Sequence, residues 1–331
     1  MKSKSLLFCS VIIMLVLQAC MKGESLPPHR PKPVDVYVAG FTVASNNNFV
    51  ATYWKNGVAT AVGDSSISSV ANSIAVSGND VYVAGFIRPQ LGNSVACYWK
   101  NGVITKLGDG STNTRATSIV INGADIYVSG AVGNIGSTAV YWKNGTQVVL
   151  GDNTSFSSAS AIAVKDNDVY VAGFSNNNYA SYWKNGQDSV LSATDVGNCS
   201  DILLNGNDVY LAGFVGSTGG AIYWKNGIAV QLDQGGGSLT ANAIAINGAD
   251  VYISGGDRNV PYGVYWKNGV LNKLQVGTIV NDIAVNENDI YLAGVAPGAD
   301  AGKNSAVYWK DNTMITLAKV GEAHSIAIVT K

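Results

Sequence analysis

Residues 73–107 read SIAVSGNDVYVAGFIRPQLGNSVACYWKNGVITKL. Four short apolar runs stand out: SIAV, VYVAG, CYWK and VITKL. They are rich in Val, Ile, Tyr and Trp and bounded by Gly, Asn and Asp, which is strand composition. Ser77-Gly78-Asn79-Asp80 is a tight turn between the first two runs. Lys100-Asn101-Gly102 is a type I′ hairpin signal between the last two, because Asn-Gly accepts positive φ at both central positions. The segment therefore encodes four antiparallel strands, here called A, B, C and D in chain order.

The same unit recurs along the chain, and this repetition decides the architecture. An Asp-[Val/Ile]-Tyr element opens strand B at Asp35, Asp80, Asp125, Asp168, Asp208, Asp250 and Asp289, with spacings of 45, 45, 43, 40, 42 and 39. Tyr-Trp-Lys in strand C uses Trp54, Trp99, Trp142, Trp183, Trp224, Trp266 and Trp309, the protein's whole complement of seven Trp. Four strands per ~40–45 residues is the pattern of a β-propeller. The repeat region enters on a strand B at Asp35 with no strand A before it. It leaves at His324–Lys331 with a strand A that has no strand B after it. The sequence thus predicts an all-β fold: a seven-bladed β-propeller over residues 34–331, four antiparallel strands per blade, closed by the C-terminal strand completing the first blade. An open solenoid would need polar caps at its ends, and none is visible.

The repeated Asp and Lys fall at adjacent ends of strands B and C, where an ion pair inside each blade is expected. The Trp read as wedges between blades. Gly40, Gly85, Gly130, Gly173, Gly213, Gly255 and Gly294 follow strand B and allow tight packing or a bend. Cys97 and Cys199 fall in the second and fifth blades and read as buried thiols.

Composition narrows the function. The 331 residues are 47% hydrophobic and 13% charged, with formal net charge −1. The usual charged share is ~25%. Such a chain buries a sizeable core and has no basic surface with which to grip nucleic acid. It contains no phosphate loop, His-Glu-x-x-His, Cys-x-x-Cys or Gly-x-Ser-x-Gly element. No catalytic residue, metal site or cofactor is therefore assigned. Gly63-Asp64-Ser65, Gly108-Asp109-Gly110 and Gly151-Asp152-Asn153 open three D–A loops with a composition that suits calcium but is more often plain turn chemistry.

The N-terminus carries Lys2 and Lys4, then an apolar run from Leu6 to Leu17. Twelve residues are too few to span a bilayer, which takes ~20, but suit a signal peptide. Leu17-Gln18-Ala19-Cys20 resembles the bacterial lipobox. The resemblance implies a signal peptide over residues 1–19 and a lipidated Cys20, with stable anchoring through two or more acyl chains. An ordinary signal peptide cleaved nearby is the alternative; the position of Cys20 directly after the apolar run favours the anchor. Residues 20–33 contain four Pro and no periodicity, and read as a flexible linker.

Two further resemblances concern the blades. Val251-Tyr252-Ile253-Ser254-Gly255-Gly256 is similar to the Gly-Gly strand of kelch propellers. Cys97–Gly102 with Leu107-Gly108 resembles the HAF-type extracellular repeat. Both imply the propeller architecture.

The expectation for function is a lipid-anchored propeller at the bacterial cell envelope, on the outer membrane and facing the periplasm or the exterior. It is expected to be monomeric, to act as a non-catalytic interaction or scaffold module, and to meet an unknown protein or glycan ligand. A glycan-binding module is the alternative, and an enzyme acting on polysaccharide the third reading. The D–A and B–C loops vary between blades, whereas the A–B and C–D turns are nearly identical, so a binding face is expected at the variable end. If strand A lines the channel, its entrance gathers the ligand-binding candidates Asn72, Thr117, Ser160, Ser200, Asn242, Asn281 and His324, with Asp201 and Asp282 beside them. Phe49, Arg88, Phe156, Tyr179 and Tyr262 stand on the outer loops.

Overall fold

The hairpin residues take the backbone their chemistry allows. In the computed structural model Asn101 lies at φ 50° and Gly102 at φ 83°. The equivalent Asn56, Asn144, Asn185, Asn226 and Asn268 are likewise left-handed. In the seventh blade Asp311 and Asn312 perform the same turn. The structure describes residues 32–331 apart from 135–136, 152–154, 177, 193, 217–219, 233–237, 258–261 and 301. The segment expected to be a signal peptide, Cys20 and nearly all of the expected linker lie outside the described residues.

Pro33–Lys331 is all-β: seven four-stranded antiparallel sheets, each one blade. Blade 2 runs Ser68–Ser77 (A), Asp80–Arg88 (B), Val95–Lys100 (C) and Val103–Lys106 (D). Blade 1 takes its strand A from Gly321–Thr330, paired with strand B Val34–Val43 in the register Val36↔Ile328, Tyr37↔Ala327 and Val38↔Ile326. The ring closes as the unmatched ends require. Each strand A touches the strand A of the next blade all the way round, so these strands form the inner wall. Strands D of blades 1, 2 and 5 are exposed along their whole length.

The core lies between blades. Trp99 of blade 2 packs with Tyr37, Ala39 and Ala51 of blade 1, and Trp142 of blade 3 with Tyr82, Ala84 and Ala96 of blade 2. All seven Trp are at most 2% exposed. Cys97 and Cys199 are buried free thiols, and burial raises both above the ordinary thiol range.

Strands B and C of each blade are tied at their A–B and C–D turn end by one repeated cluster. In blade 2, Lys100 Nζ lies 2.8 Å from Asp80 Oδ2. Asn101 donates to Asp80 Oδ1 at 2.8 Å and accepts from the Val81 N–H at 2.9 Å. The Lys100 ammonium also sits 5.1 Å above the Tyr82 ring. The Asp–Lys pair recurs in every blade. The Lys-Asn-Gly turn, replaced by Lys310-Asp311-Asn312 in blade 7, and the Asp-x-Tyr motif are therefore one structural device, present once per blade.

Strands A and B are longer than the short runs suggest, because strand A carries a bulge that interrupts its apolar pattern. In blade 2 the register slips between Ala71 and Ser73, leaving Asn72 as the extra residue. A bulge leaves one residue unpaired and bends the strand. Its geometry explains the strand-B glycines: a Cβ on Gly85 would meet Val70 O at 1.9 Å, and the other six would meet the equivalent carbonyl at 1.9–2.0 Å.

Deleting His324–Lys331 strips blade 1 of most of its inner strand and uncovers Val36 and Val38. Thermal unfolding of the deletion variant is expected at a clearly lower temperature than wild type, since the loss of Ile326 alone removes a core side chain worth about 2–5 kcal/mol. An unchanged midpoint would refute the role of closure.

Candidate functional site

The inner strand of every blade has a free edge. Its N–H and C=O groups face the channel and need partners. The bulge residues supply them. Asn72 Nδ2 donates to Ala116 O of the next blade at 2.7 Å, and Thr117 Oγ1 to Ala159 O at 2.9 Å. Asn242 reaches Val280 O at 2.7 Å, and Asn281 reaches Ala323 O at 2.8 Å. His324 Nδ1 lies 2.9 Å from Ala71 O and so spans the seam between blades 1 and 2. Ser160 donates to Asn198 Oδ1 at 3.3 Å, and Asn198 Nδ2 donates to Ser200 at 3.4 Å. The seven candidates are the seven bulge residues. They stand one per blade near the D–A end of strand A, and the structure engages each in a bond to a neighbouring blade or, for Ser200, to Asn198.

Asp201 and Asp282 follow the bulge and reach the N–H groups of the same edge. Asp201 Oδ1 accepts from the Ile202 N–H at 2.8 Å, and Oδ2 from the Ile244 N–H of the next blade at 2.9 Å. Asp282 does the same with Ile283 at 2.7 Å and Ile326 at 2.8 Å. Ser73 performs half of this task, accepting from the Ile119 N–H at 3.2 Å. Burial, and then the Asp282 carboxylate, push the Asp201 carboxyl up to about 7 against the pull of its two N–H donors. Burial raises Asp282 in the same direction.

Above this ring, the strand-B residue after the glycine builds an aromatic strip. Phe41 packs with Phe86 and Val70. Phe49, 42% exposed, stacks on Phe41 with centroids 4.4 Å apart. The His324 ring meets Phe41 edge-on at 5.6 Å, and its Nε2 lies 3.3 Å from Glu322 Oε2. The His324 interaction holds Glu322 below the usual carboxylate range. Phe41, Phe49 and Glu322 line a cleft of about 310 Å³ at the ring seam. A second cleft of about 430 Å³ lies between Phe174, Val196 and Phe214. Arg115, on strand A of blade 3, places its guanidinium 4.6 Å from the Phe86 centroid, and Arg88 lies 5.7 Å from it. Of the loop residues singled out in the sequence, Phe49 and Arg88 join this mouth; Tyr262 instead lies beneath the Lys273 ammonium at 4.7 Å. Phe41, Phe86 and Arg115 escaped the sequence reading, although the recurrent Gly-Phe pair at the end of strand B was the signal for the first two. Asp152 and Asn153 of the calcium-like loops lie outside the described residues. Among the described residues no cluster of three or more His, Cys, Asp or Glu is placed to hold a metal ion.

No family model matches the chain, and no curated protein matches it. Solved structures do. A puromycin-hydrolysing peptidase of Mycobacterium tuberculosis aligns over 86% of this chain with a TM-score of 0.57 and 9% identity. A prolyl endopeptidase structure aligns over 90% with a TM-score of 0.50 and 10% identity. The acylaminoacyl peptidase of Pyrococcus horikoshii aligns over 88% with a TM-score of 0.51 and 12% identity. The chain spans about half the length of these proteins, 51–53%. At such identity the likeness establishes the fold. The structures that share it are of peptidases, and on that finding the expectation of a non-catalytic scaffold module, with its glycan-binding and polysaccharide-enzyme alternatives, is set aside.

The Asp201 geometry has a pH signature. Its folded carboxyl titrates near 7 and its unfolded one near 3.8, so between these values the folded state alone holds the proton. Its contribution to stability is fully present below about 4 and is lost as the pH rises through about 7. Asp201→Asn, neutral throughout, is expected to lose most against wild type near pH 4 and least above pH 7. Denaturant midpoints across this range provide the check; a difference that is flat or runs the other way overturns the assignment.

Proposed function

We propose that this chain is a peptidase-related propeller that engages extended polypeptide at the mouth formed by its D–A and B–C loops. The observation that carries the reading is the fold shared with three peptidase structures over 86–90% of this chain. The chemistry of the mouth supports it. Phe49 on Phe41 and the cleft between Phe174 and Phe214 offer apolar surface to side chains. Apolar clefts with a few fixed polar groups are ordinary ligand sites. The hydrolytic step is assigned to no described residue: His324, the histidine of the repeat region, faces Ala71 O and Glu322.

The second part of the proposal concerns place. A lipid on Cys20 would hold the chain at the bacterial envelope, with residues 20–33 as the tether. The likeness of the strand motifs to kelch-like and HAF-type extracellular repeats agrees with that setting.

Two experiments test these readings. Purified full-length protein titrated into a fluorescent unstructured polypeptide is expected to bind saturably. Phe49→Ala should weaken binding about tenfold, the equivalent of ~1.4 kcal/mol; no binding to any polypeptide refutes the proposal. Separately, a fatty-acid analogue fed to expressing cells should label the wild type but not Cys20→Ala. Label retained in the variant excludes Cys20 as the acylated residue.

A further inference from the structure

Two guanidinium groups share one aromatic ring at the channel mouth. Arg115 comes from the start of strand A in blade 3, and Arg88 from the end of strand B in blade 2. They stand 4.6 and 5.7 Å from the Phe86 centroid. Neither forms an ion pair or a hydrogen bond to an acceptor among the described residues, in contrast to the strand-C lysines, each of which has its aspartate. Two acids of the D–A loops are engaged locally: Asp109 accepts from the Ser111 N–H and hydroxyl, and Asp64 from the Ser66 N–H. Two like charges held together without a counter-ion repel one another. Here partial desolvation, and then the neighbouring Arg88 charge, lower the proton affinity of Arg115. Stacking on Phe86 compensates in part, because a cation over a ring face is attracted to it, and it leaves the N–H forks free.

The position of this pair is as informative as its charge. Phe86 packs with Phe41, and Phe41 stacks on the exposed Phe49. An apolar strip thus runs across blades 1 and 2 and ends at two unpaired guanidiniums. The planar fork of Arg matches a carboxylate through two parallel hydrogen bonds. We propose that Arg88 and Arg115 form a carboxylate clamp that takes the free C-terminus of a polypeptide, with the preceding side chains lying on the exposed Phe49. This rests on the polypeptide-binding reading above and deepens it by naming which part of the chain is held.

The test uses full-length protein and one unstructured peptide with an apolar C-terminal residue, prepared as the free acid and as the C-terminal amide. The acid is expected to bind at least tenfold more tightly than the amide. Arg88→Gln and Arg115→Gln, both at exposed positions, should each reduce this preference, and the double variant should abolish it. Arg115→Lys should restore only part of it, since an ammonium lacks the fork. Thermal unfolding of each variant verifies its fold. Acid and amide binding equally well, with the variants silent, overturns the clamp and leaves polypeptide binding intact. Neither form binding overturns the polypeptide reading and the clamp with it. Inorganic phosphate displacing the acid at equal concentration shows a general anion site and overturns the assignment to a C-terminus.

Discussion

Every blade of this protein has an inner strand whose outward neighbour satisfies one edge and whose other edge faces the channel. Unpaired backbone groups on that edge are costly and invite pairing with other chains. The fold answers with a bulge. One extra residue in each strand A carries a polar side chain that in five blades reaches the next blade's carbonyl, and the residue after it turns Ser or Asp toward the next blade's N–H in blades 2, 5 and 7. The bulge in turn brings a strand-A carbonyl against strand B, and only glycine leaves room there. The repeated glycine, the register slip and the polar ring are three consequences of one constraint.

The A–B and C–D turn face of each blade follows a different rule. Charges are few, and those that recur are matched within the blade: Asp with Lys, and the turn Asn joining both to the strand-B N–H. With polar demands met locally at both ends of the blade, the space between blades is left to Trp, Ala and aliphatic side chains. Seven similar interfaces result, and the last is completed by the C-terminal strand, whose His324 spans the seam to blade 2.

Against this uniform frame, the mouth is uneven. Phe41, Phe49, Phe86 and the two arginines gather on blades 1–3, whereas blades 4 and 5 carry the Phe174–Phe214 cleft. Variation on a rigid scaffold is where recognition is expected. The polypeptide-binding proposal places its contacts at this uneven mouth.

The repeat spacing, the Asn-Gly turns and the unmatched end strands were sufficient to determine strand number, blade number and closure from the sequence. These depend on local turn chemistry and on counting, which a linear chain displays directly. The polar ring was legible as a set of residues: Asn72, Thr117 and their equivalents do assemble at one level of the channel. What each side chain does was decided by tertiary structure alone. Asn72 and Ala116 are 44 residues apart, and their bond exists because neighbouring inner strands run side by side, with a bulge aiming one at the other. The same holds for Arg88 and Arg115, which meet on Phe86 only because blade 3 packs against blade 2. Periodicity identifies the unit; contacts between units arise from how the ring brings their edges together.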